Sequence, residues 1–230
     1  MKIEIWSDVM CPFCYLGKHK FEAALQQFAD KQHIEIEWKA FQLNPELQTN
    51  PDISIHQYLS EAKGMSLEQA RQSGQYLTDA GKAYGLDYHF DDIVVANTFK
   101  AQQLIKLAHH QGKDNEMEER LFEAYFSEGK NVDDLPTLLQ LAQEAGLNSD
   151  GMAAALENNQ FAPEAQKDIE EARQLNIHGV PFFVFNRKYA ISGAQEPSVF
   201  LETLTKAFAD WAKDHPEIKP STPRFKYHPQ

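Results

Sequence analysis

Lys2-Ile3-Glu4-Ile5-Trp6-Ser7-Asp8-Val9-Met10-Cys11-Pro12-Phe13-Cys14 is the stretch that decides the fold. Residues 2–6 alternate charged and apolar types, the period of a strand, and run into a Ser-Asp turn and two cysteines. Beyond them Leu16, Phe21, Ala24, Leu25 and Phe28 recur at helical spacing. That predicts a helix beginning at the motif and ending near residues 29–32. Pro12 suits its first turn, where the missing N–H has no intrahelical acceptor, and Cys11 falls at the cap. Ile34 to Ala40 alternates strictly and predicts a second strand before Asn44-Pro45. The order is strand, helix, strand.

Cys11 and Cys14 are the only cysteines among 230 residues. A disulfide closing so short a loop constrains the unfolded chain little, so a reversible dithiol explains the pair better than a staple. The thiolate is the reactive form of cysteine, and the unpaired N–H groups of a helix N-terminus favour negative charge where Cys11 falls. Cys14, about one turn further in, is expected to be less exposed and placed to resolve a mixed disulfide formed at Cys11. Pro12 and Phe13 carry no charge, so the direction of electron flow stays open. Two plainer readings compete. Cys11, Cys14 and His19 supply three of the four ligands of a structural zinc site, with no second cysteine pair to complete it, and no metal is expected. Inert buried cysteines are the other, and a strand-to-helix turn is an unusual place for both.

The formal charge of −12 and isoelectric point near 5.2 exclude the basic surface on which nucleic-acid recognition depends. No run of about 18 apolar residues is present. The mean hydropathy of −0.54 and hydrophobic content of 42% fit a chain with a substantial core and no membrane partner. The first residues read as a strand, without the apolar region of a signal peptide, so the expectation is a cytoplasmic protein. In a reducing compartment a disulfide is transient and catalytic.

From about Ile53 to Gln174 the pattern is helical, with a capping box at Ser66-Leu67-Glu68-Gln69 and breaks at Gly64, Gly85, Gly112, Gly129 and Gly146. Four to six helices fit this span. Its Phe99, Leu104, Leu107, Leu121, Phe122, Tyr125 and Phe126 form stripes of core type. Phe182-Phe183-Val184-Phe185 and Tyr189-Ala190-Ile191 flank Asn186-Arg187-Lys188 as a hairpin, and a last helix covers roughly 197–213. The proline-rich end reads as extended. Glu37 and Lys39 share one side of the second strand. They are candidates to relay the proton of Cys14, although a polar strand face alone predicts solvation. Asn115 to Arg120 has the acidic bias of a helix start. His109-His110 reads as a helix C-terminal pair, and His178 as a loop residue near the second motif.

That second motif is Gly179-Val180-Pro181-Phe182-Phe183-Val184. Together with Cys-Pro-Phe-Cys-Tyr-Leu-Gly-Lys at 11–18, Phe41-Gln42-Leu43-Asn44-Pro45, Ala124-Tyr125-Phe126 and Ile191-Ser192-Gly193-Ala194-Gln195, it resembles the DsbA-like thioredoxin-fold family, nearest its FrnE-like branch. The resemblance implies an α/β thioredoxin fold with a large all-helical insertion. Residues 1–48 and 165–213 would form the discontinuous thioredoxin-like domain, 49–164 the inserted helical domain and 214–230 an extended tail. It further implies a thiol-disulfide oxidoreductase in which Cys11 attacks and Cys14 resolves. Pro181 would be a cis-proline facing the cysteines, and Val180, Pro181, Pro12 and Phe13 would contact substrate. Relatives often carry histidine where Gln102 stands, which puts a substrate role there in doubt. The expected partner is a thiol- or disulfide-containing protein or small molecule. No resident cofactor is expected, and glutathione would be a redox partner. Two other activities fit the pattern. One is a glutathione-dependent isomerase or transferase of the 2-hydroxychromene-2-carboxylate isomerase or kappa-class type, which usually has serine at the first motif position. The other is a redox-sensing holdase.

Overall fold

A computed structural model describes residues 1–218 and Ser221. Strand β1 (Lys2–Ser7) is paired along both edges. It runs parallel to β2 (Glu35–Ala40), with Ile3 beside Ile36 and Ser7 beside Ala40. It runs antiparallel to β3 (Phe182–Phe185), with Ile3 opposite Phe185 and Trp6 opposite Phe182. β4 (Tyr189–Ser192) pairs antiparallel with β3, giving the order β2-β1-β3-β4. β1 is covered on both faces: Ile3, Ile5 and Trp6 are fully buried, and its buried polar residues are partnered, Glu4 by Arg187 and Ser7 by Glu118.

Parallel pairing of β1 and β2 requires a crossover, supplied by α1 (Pro12–Gln27). The helix ends at Phe28, where the backbone turns extended, slightly before the predicted 29–32, and a 3₁₀ turn (Lys31–His33) leads into β2. α9 (Pro197–Trp211) lies along α1 on the same face of the sheet. Phe21 of α1, Phe183 of β3 and Phe200 of α9 meet there with ring centroids 4.7–5.7 Å apart. On the opposite face Trp6 and Val184 are covered by Ala172 and Ile177, the former on α8 (Ala162–Gln174).

Between β2 and β3 there are seven helices among the described residues rather than four to six: α2 (Ile55–Lys63), α3 (Leu67–Lys82), α4 (Phe99–His110), α5 (Asp114–Phe126), α6 (Leu135–Glu144), α7 (Met152–Glu157) and α8. The difference lies partly in α7, whose six residues are too few to show a period. The capping box at Ser66 and Gln69 is formed, and all five glycine breaks have left-handed backbone. The apolar stripes of α4 and α5 face inward: Leu104, Leu121, Phe122 and Tyr125 are fully buried, while Phe99 is half-buried. Both helices also pack on β2, which seats the helical block against the sheet.

No described helix is long and apolar enough to cross a membrane. Of the predicted extended tail, residues 219, 220 and 222–230 lie outside the described residues. Ser221 is tied back to the carboxylate of Asp30, its hydroxyl donating over 2.7 Å.

Candidate active site

The Cys11–Cys14 motif sits where β1 hands over to α1. Cys11 is the N-cap residue with extended backbone, Pro12 occupies the first helical turn, and the Cys14 amide donates to the Cys11 carbonyl over 2.9 Å. Both cysteines are free thiols. Cys14 is the more enclosed, as predicted, but Cys11 is also buried, with 4% of its surface exposed against 1%. The backbone ahead of β3 contributes to this cover. The Cys11 thiol donates to the Val180 carbonyl over 3.5 Å, and the Val180–Pro181 peptide bond is cis. The fold thus brings residues 11 and 180 together although 169 positions separate them.

Three contacts hold this junction. Gly17 faces Pro181 so closely that a Cβ there would lie 2.9 Å from the Pro181 Cγ, and the Pro181 carbonyl accepts from the Gly193 amide over 2.8 Å. From the helical block, the buried Tyr88 hydroxyl donates to the Pro12 carbonyl over 2.7 Å. Pro12 is half-buried and Phe13 exposed. Phe13 forms one wall of an open cleft whose other walls are Met65, Gln69, Gln72, Ser73 and Tyr76 around α3. That cleft carries no charged side chain among the residues lining it.

The interior side of the motif is polar and was only partly foreseeable. Burial first, and then the neighbouring Cys11, push the Cys14 thiol well above its ordinary range, while the Asp8 amide and the Ser7 hydroxyl oppose the shift. The Ser7 hydroxyl donates to Glu118 Oε1 over 2.6 Å, and both residues are buried. Burial raises Glu118 to about 8 against the hydrogen bond from Ser7. Asp8 is raised to about 6, again by burial, although it accepts from the Leu43 amide (2.7 Å) and the Thr98 hydroxyl (2.7 Å). Gln102, where histidine was expected of relatives, is buried and donates to the Ser7 and Phe41 carbonyls over 3.0 and 3.2 Å. Its amide ties the ends of β1 and β2 to α4.

Several sequence candidates are engaged elsewhere. Lys39 is buried rather than solvated, because it sits among Asp168, Glu171 and Glu37, and Lys106 joins it on Asp168. Glu37 is paired with Lys2 as well as with Lys39, so both sequence candidates for the proton of Cys14 are held in ion pairs. His19 turns away from the sulfurs: its Nε2 meets Glu119 Oε1 at 3.0 Å, and Lys18 already bridges Glu22 and Glu119 at 2.6 Å each. Among the described residues, the cluster of possible metal-ligand atoms is His19, Glu22 and Glu119, without either cysteine. His109 and His110 pair with Asp114 and Glu164, and His178 is exposed.

A thiol pair at a strand-to-helix junction, faced by a proline loop from a distant hairpin, defines a class, and comparison of the whole chain agrees. Residues 2–205 match the DSBA-like thioredoxin domain, and the chain belongs to that family. The solved structure of the probable DsbA oxidoreductase SCO1869 from Streptomyces coelicolor is 34% identical, with a TM-score of 0.84 over 97% of this chain and 93% of that one. The uncharacterized protein YwbO of Bacillus subtilis is 26% identical over 88% of this chain and 95% of its own length. At the level of fold alone, the cytosolic disulfide reductase DsbM from Pseudomonas aeruginosa is similar, with a TM-score of 0.63 and 16% identity over 95% of this chain and all of that one.

Proposed function

We propose that this protein is a thiol-disulfide oxidoreductase of the cytoplasm, of the FrnE-like branch, acting on disulfide- or thiol-containing substrates. The observation that carries the reading is the position of Cys11. Its sulfur stands at the N-cap of α1 and against the Val180 carbonyl, with Cys14 one turn behind it. In the oxidising direction a substrate thiolate attacks the Cys11–Cys14 disulfide at Cys11, and the mixed disulfide is then attacked by the second substrate thiol. In the reducing direction the Cys11 thiolate attacks a substrate disulfide and Cys14 displaces the substrate thiol, leaving the protein oxidised. The helix N-terminus supports the negative charge that develops on Cys11 in both directions. Val180 offers backbone groups with which an extended substrate segment can pair, next to the sulfur it must reach. Glutathione fits as electron donor or acceptor.

Cys11→Ser tests the assignment. The variant is expected to lose turnover in an insulin-reduction or dithiol-oxidation assay while its melting temperature stays close to that of the parent. Catalysis surviving at the parent rate overturns the role of Cys11. A redox titration against glutathione buffers, followed by the masses of alkylated Cys11 and Cys14, sets the direction in which the couple runs.

A further inference from the structure

Phe13 stands between the two cysteines, and 44% of its surface is exposed. Tyr76 of α3 is 66% exposed, and these two rings, with Met65 from the turn between α2 and α3, wall one cleft of about 660 Å³. Single exposed apolar side chains are ordinary on a protein surface, but three that converge beside a nucleophile call for an occupant. The volume falls within the range of ligand sites, about 300–1,000 Å³.

The polar members of the cleft are turned back onto their own helix. Gln69 Oε1 accepts from the Ser66 amide over 2.8 Å in the capping box, and Gln72 Nε2 donates to Glu68 Oε1 over 2.9 Å. No charged side chain lines the cleft, in a chain whose net charge is −12. A carboxylate or ammonium entering it would lose water and gain no ionic partner. The two walls are also tied together. α3 lies against the Tyr88 ring because Gly81 has no side chain, a Cβ there coming within 2.7 Å of that ring. The Tyr88 hydroxyl in turn holds the Pro12 carbonyl, next to Phe13.

We propose that this cleft is a specificity subsite for an uncharged apolar side chain, aromatic or long aliphatic, of a polypeptide substrate, at a position within two residues of the cysteine that reacts with Cys11. This rests on the oxidoreductase reading above and names the substrate class within it. Recognition is divided between two sides of the sulfur. Val180, whose carbonyl stands against Cys11, offers main-chain groups, and the cleft at Phe13 takes a side chain. Phe13 is two residues from Cys11 on the first turn of α1, and two residues of extended substrate cover about 7 Å, so a neighbour of the substrate cysteine reaches the cleft while the cysteine is at Cys11. The rings of Phe13 and Tyr76 favour offset or edge-on contact with an aromatic guest, and the unbranched Met65 adapts to an aliphatic one. Glutathione differs in kind: its two carboxylates and one ammonium have no counterpart in the cleft, so it reacts at Cys11 without this contribution.

Peptide disulfides test the subsite. Cys14→Ser leaves Cys11 as the sole thiol and stops the reaction at the mixed disulfide. Each probe is a Gly/Ser peptide whose single cysteine is bonded to thionitrobenzoate, with Phe, Leu, Glu, Lys or Gly at one of the two positions on either side. The Cys11 thiolate attacks the peptide sulfur and forms a new S–S bond, and the aryl thiolate leaves with the electron pair of the old one, which stopped-flow absorbance follows. At its best position Phe is expected to react at least about tenfold faster than Gly, equivalent to about 1.4 kcal/mol and the low end of what burying a large apolar side chain contributes. Leu should follow Phe, while Glu and the mixed disulfide of glutathione should not exceed Gly. Residues 73 and 76 are exposed on α3, and the ratio of two probes on one variant cancels any change in Cys11 itself. Tyr76→Ser should reduce the Phe-to-Gly ratio to below about threefold, and Ser73→Lys should lower it while raising Glu above Gly. Phe and Gly within about twofold at every position overturn the subsite, as do a ratio unchanged in both variants or glutathione outpacing the Phe probe. Release of no aryl thiolate from any probe overturns the oxidoreductase reading, and the subsite with it. Melting curves identify a variant that fails to fold; the other α3 variant then decides, and if Cys14→Ser is the one lost, the first aryl thiolate released by the reduced parent gives the same ratios.

Discussion

Gly17 shows how narrowly the site is built. Its helix passes the Pro181 ring at a distance that leaves no room for a methyl group, so α1 and the proline loop are in register only because residue 17 has no side chain. Gly17→Ala is expected to push the loop away from Cys11, costing about 1–3 kcal/mol of stability in urea denaturation, as small-to-large changes in packed interiors do. Turnover should fall by more than the loss of folded protein explains. Glu118 carries the opposite lesson about reading single residues. In Asn115-Glu116-Met117-Glu118-Glu119-Arg120 it reads as one of several acids serving a helix start, with nothing to distinguish it from Glu116 or Glu119. Only the pairing of residue 118 with residue 7 separates it from them, and such pairing has no local signature in the sequence. Gln102 stood out in the sequence only as a departure from relatives that carry histidine, and its tie to two backbone carbonyls has no local signature.

Elements were more legible than residues wherever a period was long enough to count. β1, α1 and β2 follow from alternation and helical spacing, and the hairpin from two apolar runs around a short connection. The short α7 and the early end of α1 escaped because boundaries depend on a few backbone hydrogen bonds rather than on a pattern. Position in space was also not legible: the segment after α3 returns to the motif and places Tyr88 on Pro12. Tyr88→Phe removes that hydrogen bond and keeps the ring stacked with Phe90. A loss of about 1 kcal/mol is expected, lowering the melting temperature by roughly 2–4 °C in calorimetry for a chain of this size. A drop within error would mean that the hydroxyl is not a tie between the helical block and the motif.

For the whole molecule, acid and alkali should act through different carboxyls. Burial opposes ionisation of Glu37, yet the hydrogen bond from Lys2 and the charge of Lys39 hold it down to about 2; Glu119, also opposed by burial, is held at about 2 by His19 and Lys18. Their folded values lie below the unfolded one, so their contribution is complete above about pH 4.5 and is lost as pH falls towards 2. Asp8 and Glu118, raised to about 6 and 8, work the other way: their contribution is complete below about pH 4 and is lost as pH rises through those values. Melting temperatures from pH 2 to 9 should therefore pass through a maximum near pH 5, with Glu118→Gln flattening the alkaline side alone. A profile that keeps rising to pH 9 would contradict the buried, proton-retaining state of both acids.

The central strand carries one more consequence. β1 is among the first segments made, but its partner β3 places Phe185 opposite Ile3 near the other end of the chain. During synthesis the contacts within the helical block are local and can close early, whereas the sheet must wait for the hairpin. Until then the sulfur of Cys11 lacks the Val180 carbonyl that covers it. A nascent chain therefore exposes both thiols before the Val180–Pro181 loop is in place, and only synthesis through the β3–β4 hairpin brings the cover under which Cys11 is buried.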